Sequence, residues 1–161
     1  MSLIVTGSIG IDTVITPEGR ADEVLGGSCT YFAAAASFFG PVRLVAAVGE
    51  DFNDALMDTF EHFDVDTLGL EKRKGSKTFR WTGKYLENMN ERETLEVELN
   101  VLGEDLPPVP DSYKDSDYVF LANTHPAGQL ALREQFGSAK LVVADTMDLW
   151  IETAQDELKA L

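Results

Sequence analysis

Cysteine is almost missing from this chain of 161 residues: Cys29 stands alone, which excludes an internal disulfide framework and any cysteine-based zinc site within one chain. Set among small and apolar residues, its thiol is expected to be buried and inert. Histidine is nearly as scarce. His62 and His125 lack the paired spacing of a metal site, so no metal ligands are expected, and the two are read as surface or capping residues. Positive charge is short too: 13 Lys and Arg against 28 Asp and Glu leave a net charge of −15, a surface that repels nucleic-acid phosphates and anionic lipid. Lys72-Arg73-Lys74, the densest basic run, is read as a solvated loop rather than a docking surface. No stretch approaches the roughly 18 unbroken apolar residues of a membrane span, and Met1-Ser2-Leu3-Ile4-Val5 lacks the basic start of a signal peptide. The expectation is a soluble, cytoplasmic protein without nucleic-acid or membrane partners.

What is present is a core. Apolar residues make up 44% of the chain, enough for one domain of this length. Leu3 to Val5 and Thr13 to Thr16 read as strands before the turn at Pro17-Glu18-Gly19. Gly26-Gly27 precedes a helix on which Tyr31, Phe32, Ala35, Phe38 and Phe39 recur at helical spacing, and Gly40-Pro41 stops it. Leu44 to Val48 is a continuous apolar run, the pattern of a strand covered on both faces in a parallel sheet. The next helix is expected to start near Asp51 as its cap, with Phe52, Ala55, Leu56, Phe60 and Phe63 on one stripe.

From Thr78 the period changes to two. Phe79, Trp81 and Tyr85 alternate with polar residues, and after Glu87-Asn88-Met89-Asn90 so do Leu95, Val97, Leu99 and Val101. This pattern predicts a two-stranded antiparallel ribbon whose apolar face must cover the rest of the domain, a ligand, or a second copy of the chain in a homodimer. Leu106-Pro107-Pro108-Val109-Pro110 is a stiff return to the sheet. Strands over Tyr118 to Leu121 and Ala139 to Ala144 flank a helix from Pro126 to Phe136. Trp150, Ile151, Ala154, Leu158 and Leu161 then share one helical face that runs to the last residue, a pattern that predicts an interrupted domain.

Two strings carry a resemblance. Leu25-Gly26-Gly27-Ser28-Cys29-Thr30-Tyr31-Phe32-Ala33 opens the first helix, and Val48-Gly49-Glu50-Asp51-Phe52 is followed twelve residues later by Asp64-Val65-Asp66-Thr67. In this order they resemble the amino-terminal half of the ribokinase-like (PfkB) sugar and nucleoside kinases. The resemblance implies an α/β fold: part of a Rossmann-like three-layer ribokinase-type sheet with a projecting antiparallel β-ribbon lid, lid segments near 13–25 and 77–102, and a carboxyl-terminal ATP-binding half that is absent. It also implies site residues. Asp12 corresponds to the aspartate that accepts hydrogen bonds from sugar hydroxyls, with Gly26 and Gly27 beneath the same sugar. Asn123 maps best to the polar residue facing the sugar at a strand end. Tyr31 stands where a sugar-binding asparagine is usual, and Asp145-Thr146-Met147-Asp148-Leu149-Trp150 resembles an Asp-x-Asn-x-Arg segment with its asparagine and arginine replaced.

By that resemblance the complete protein is expected to be an ATP-dependent carbohydrate kinase that phosphorylates a sugar or nucleoside hydroxyl with Mg²⁺, and this chain its substrate-binding half. The late Gly-Ala-Gly-Asp-type segment that supplies phosphate-binding amides and the catalytic base has no match here. No catalytic residue is therefore expected in the chain, nor tight binding of ATP or Mg²⁺ by it. The rival reading is a non-catalytic binding or assembly module. A Rossmann dinucleotide enzyme fits poorly, since Gly7-Ser8-Ile9-Gly10 lacks the third glycine of Gly-x-Gly-x-x-Gly.

Overall fold

The computed structural model describes residues 2–161. Along the chain, β1 (Leu3–Thr6) leads into a hairpin of β2 (Gly10–Thr16) and β3 (Gly19–Gly26), followed by α1 (Ser28–Ser37), β4 (Val42–Gly49), α2 (Asp54–His62) and β5 (Asp66–Arg73). A second hairpin, β6 (Phe79–Tyr85) and β7 (Arg92–Glu98), precedes β8 (Tyr118–Leu121), α3 (Pro126–Arg133), β9 (Leu141–Ala144), α4 (Asp148–Thr153) and α5 (Gln155–Ala160).

The apolar runs pair as a five-stranded sheet in the order β5-β4-β1-β8-β9, parallel throughout. The central strands β1 and β4 are covered on both faces, as their continuous hydrophobicity requires, whereas Leu141 and Val143 of the edge strand β9 are exposed. On one side Val5, Leu44, Ala46 and Val48 meet Cys29, Ala33 and Phe60 of α1 and α2. On the other, Ile4, Val45, Val119 and Leu121 meet Leu132 and Phe136, with Tyr113. Neighbouring residues of one strand thus serve opposite cores, giving three layers, α/β/α. Because β1 lies between β4 and β8, the connections leave it in both directions, and the crevice at its carboxyl end is where such sheets hold ligands.

Helix α1 differs from expectation in which face it buries. Cys29, Thr30 and Ala33 are its buried residues, whereas Tyr31, Phe38 and Phe39 are exposed. Small residues on the buried face allow close approach to the sheet, and Phe32 stacks on Phe120 of β8 with ring centroids 3.7 Å apart. Helix α2 is capped by Asn53, whose side chain accepts from the Leu56 amide, rather than by Asp51. Its buried stripe includes Phe60 and excludes Ala55. Asp64, in the turn before β5, takes a left-handed φ of 50°, a conformation that aspartate tolerates better than most side chains.

The alternating segment pairs as expected, Trp81 opposite Val97, but it is not a free two-stranded ribbon. Strand β6 also pairs in parallel with β2, so two hairpins join side by side into a second sheet of order β3-β2-β6-β7. A register shift after Thr82 leaves Leu95 between the pairs Thr82–Glu96 and Gly83–Thr94, breaking the apolar alternation. Strand β7 stops at Glu98: Asn100 adopts a φ of 46°, and Val101 turns into the core.

The basic run is also placed differently at its centre. Arg73 ends β5 and its guanidinium donates to Glu71, Glu104 and the Asp105 carbonyl, while Lys72 Nζ donates to the Phe52 carbonyl. Arg73 is thereby drawn in to tie elements together, whereas Lys72 and Lys74 stay exposed, as expected of a solvated run. Helix α3 ends at Arg133, and β9 starts at Leu141. The single final helix is instead two short ones, broken at buried Ala154 (φ −136°, ψ 43°).

Candidate functional site

A cavity of about 570 Å³ lies where the carboxyl ends of the parallel strands meet the second sheet. Gly7 and Ser8 follow β1, Ala47 lies in β4, Asn123 to His125 follow β8, and Met147 to Trp150 follow β9. From the other side come Phe79 and Trp81 of β6, Thr94 and Val97 of β7, and the segment from Leu99 to Pro107. Two sheets thus form the walls. The lining is largely apolar with a few convergent polar groups, the usual make-up of a small-molecule site.

The segment Gly49-Glu50-Asp51 sets the relation of the two sheets. A Cβ on Gly49 would lie 2.3 Å from the Lys77 carbonyl carbon, so only glycine lets the chain entering β6 cross the end of β4. Glu50 receives the Gly75 amide at 3.0 Å. The Asp51 carboxylate accepts from the Thr78 amide at 2.7 Å, the Thr78 hydroxyl at 2.8 Å and Arg80 Nη2 at 3.1 Å. Burial pushes against its ionisation, but these donors together hold the Asp51 carboxyl below its ordinary value.

Asp12 lies in the middle of β2, opposite Trp81. Paired residues of neighbouring strands share a face, so Asp12 is on the same side of the second sheet as Trp81 and Val97, two residues of the cavity wall. It is wedged between glycines: a Cβ on Gly26 would fall 2.0 Å from Asp12 Oδ2, and one on Gly10 2.9 Å from Oδ1. Glycine at 26 is therefore what makes room for the carboxylate. Burial raises the Asp12 carboxyl to about 6, only partly opposed by the hydrogen bond with the Trp81 backbone. Among the described residues Oδ1 is buried with no hydrogen-bond partner. Asp12, like Gly26 and Gly27, is not itself among the residues that line the cavity.

Gly27 supports the same corner differently. At φ 95° it caps α1, and a Cβ there would lie 2.3 Å from the Ser8 carbonyl oxygen. The helix start is thereby pressed on the loop after β1, and the Cys29 amide donates to Ser8 O at 3.1 Å. Burial pushes the Cys29 thiol up, leaving it an inert core group.

Asn123 lines the cavity with a fixed amide. Trp150 Nε1 donates to its Oδ1 at 3.0 Å, and its Nδ2 donates to Met147 Sδ at 3.1 Å. Gln129, fully buried on α3, was not singled out by the sequence; its Nε2 lies 2.8 Å from Leu121 O, 3.1 Å from Ala122 O and 2.9 Å from Asp145 O. It thereby ties the ends of β8 and β9 together beneath Asn123. His125 caps α3 through Nδ1, which accepts from the Ala127 amide, and its ring stands edge-on to Trp150 at 5.0 Å. Tyr31 differs from expectation: it is 65% exposed, its hydroxyl donates to Leu25 O at 3.4 Å, and it does not line the cavity. His62 is exposed on α2. Among the described residues no group of three or more His, Cys, Asp or Glu is arranged to hold a metal ion, and no helix is long and apolar enough to cross a membrane.

No protein-family model matches the chain. A cytidine kinase from Thermococcus kodakarensis is 28% identical over 145 residues, which are 89% of this chain and 51% of that protein. The ribokinase of Giardia lamblia superposes with a TM-score of 0.78 at 18% identity, covering 98% of this chain and 55% of that one. The nucleoside kinase of Methanocaldococcus jannaschii, an archaeal member of the ribokinase family, gives 0.74 at 17% identity over 99% of this chain and 57% of that one. The chain spans about half the length of the relatives it matches. Over that half it has the fold of the ribokinase-like kinases, the parallel sheet and second sheet to which its Gly26-Gly27 and Gly49-Glu50-Asp51 strings pointed.

Proposed function

We propose that this chain is the acceptor-binding half of an ATP-dependent kinase that phosphorylates a hydroxyl of a sugar or nucleoside. The observation that carries the reading is the buried, unpartnered Asp12 Oδ1, set between two glycines on the cavity side of the second sheet. A substrate hydroxyl is the donor that fits it, and a charged acceptor makes that bond strong. The kinase names of proteins sharing this fold support the reaction class.

In this reading Gly26 and Gly27 bring the start of α1 close beneath the sugar, Asn123 orients it from β8, and the second sheet acts as a lid that excludes water. ATP and Mg²⁺ are bound by sequence corresponding to the other half of the relatives, together with the base that takes the proton of the attacking hydroxyl. No residue here is assigned to either, and the 161-residue chain alone is expected not to transfer phosphate. ATP as donor suits a cytoplasmic enzyme. A homodimer through the second sheet is a further element of the proposal: β7 is one of its two edge strands, and Leu95, Val97 and Leu99 are each about half exposed.

The test is phosphorylation of a panel of sugars and nucleosides by the protein in which this chain continues into a nucleotide-binding half. Transfer to at least one acceptor, reduced at least tenfold by Asp12→Ala, is expected. Transfer to none would overturn the reading in favour of a binding module. Sedimentation that shows the same monomer for wild type and Val97→Glu would remove the dimer.

A further inference from the structure

The cavity's aromatic walls constrain the acceptor further, on the assumption that the kinase reading above is right and Asp12 takes a substrate hydroxyl. Both tryptophans of the chain line this cavity, and both have spent their only donor: Trp81 Nε1 donates to Thr94 Oγ1 at 3.2 Å, and Trp150 Nε1 to Asn123 Oδ1 at 3.0 Å. What each indole offers the cavity is therefore ring surface. Trp81 is pinned flat along its own strand, since a Cβ on Gly83 would fall 1.8 Å from its Cη2. Trp150 is braced by the edge of His125. Phe79, Val97, Leu99 and Met147 extend this apolar lining.

Asn123 supplies the polar complement. An indole nitrogen can only donate, so the amide oxygen must face Trp150 and Nδ2 must face away from it. Nδ2 has two hydrogens and one of them meets only the weak thioether acceptor Met147 Sδ. The other is available to an acceptor on a ligand. Ser8 Oγ, by contrast, is already engaged with Asn123 O and Ser28 Oγ.

A bare sugar can lay only one C–H face on this wall and would leave much of the remaining indole and apolar surface uncovered. A hydroxyl donor joined to a flat heteroaromatic ring that carries its own acceptor matches all three features. We propose that the acceptor is a nucleoside, its ribose hydroxyl on Asp12, its base against the indole faces of Trp81 and Trp150, and a carbonyl or ring nitrogen of that base on Asn123 Nδ2.

The experiment is calorimetric titration of this chain at pH 8 with cytidine, adenosine and D-ribose, followed in parallel by tryptophan fluorescence. At least one nucleoside is expected to bind tenfold or more tighter than D-ribose and to quench the emission. Trp81→Leu should cut that preference at least fivefold, weakening the nucleoside far more than D-ribose. D-ribose binding as tightly as both nucleosides, or no binding of either nucleoside, overturns the proposal and needs no variant to do so. Nucleoside preference in a longer protein that transfers no phosphate supports the ring site and overturns the kinase reading, whereas an active kinase that prefers free ribose overturns the ring site alone.

Discussion

Replacing Asp12 by asparagine keeps the shape of the side chain and removes its charge, so it isolates what holding that carboxylate costs the fold. In the folded chain the group titrates near 6 against an ordinary value of 3.8, with burial as the main cause. Such a displacement corresponds to about 3 kcal/mol for a wholly buried group, and partial exposure of Asp12 reduces the expectation to about 1–2 kcal/mol. The sign follows from proton uptake: the folded state binds the proton more tightly than the unfolded one, so stability is present in full below pH 3.8 and is lost as the pH rises through 6. Urea unfolding of wild type and Asp12→Asn from pH 4.5 to pH 8 measures it. The variant should be the more stable at pH 8 by about 1–2 kcal/mol, with the gap closing as the pH falls toward 4.5. A difference independent of pH, or a variant less stable at pH 8, would refute the reasoning. The same group predicts that ligand binding tightens as the pH rises through 6, because only the ionised carboxylate offers Oδ1 as a charged acceptor.

Gly27→Ala should destabilise the fold by roughly 2–4 kcal/mol in thermal or urea unfolding, since its φ of 95° and the 2.3 Å approach to Ser8 O leave no room for a methyl group. Asp51→Ala removes three hydrogen bonds between the sheets, two from Thr78 and one from Arg80. It should cost about 2–3 kcal/mol and speed hydrogen exchange in β6 and β7 more than in β1 and β4. Gln129→Leu leaves three carbonyl contacts without their donor and should cost about 1–3 kcal/mol, with weakened ligand binding because the ends of β8 and β9 are no longer tied.

The parallel sheet was legible because a strand buried on both faces must be apolar throughout, as Leu44 to Val48 is, and the flanking turns set its length. The second sheet was half legible. Alternation marked β6 and β7, but the pairing of β6 with β2 joins residues about 70 positions apart in sequence, and no local pattern reports such contacts. Leu95 shows the limit of periodicity, because one extra residue at a register shift moves an apolar side chain out of phase. Helix α1 misled for a related reason: large apolar residues suggested the buried stripe, but the sheet is approached through Cys29, Thr30 and Ala33, leaving Phe38 and Phe39 outside. Asp12, Gly26, Gly27 and Asn123 were singled out through resemblance rather than through any pattern of their own, and of the four only Asn123 lines the cavity itself. Trp81 gave a faint signal in the glycine two residues on, the space its ring occupies. Gln129 gave none, since a glutamine on a short helix reads as surface until three carbonyls are seen around it.

Calorimetric titration of the chain with its acceptor and with Mg²⁺–ATP, for wild type and Asp12→Ala, tests the central claim most directly. Loss of a charge-assisted hydrogen bond predicts acceptor binding weakened about 10- to 150-fold in the variant, with ATP binding weak in both proteins and the same. Acceptor binding untouched by Asp12→Ala, or ATP bound more tightly than any sugar or nucleoside, would contradict the assignment of this chain as the acceptor-binding half.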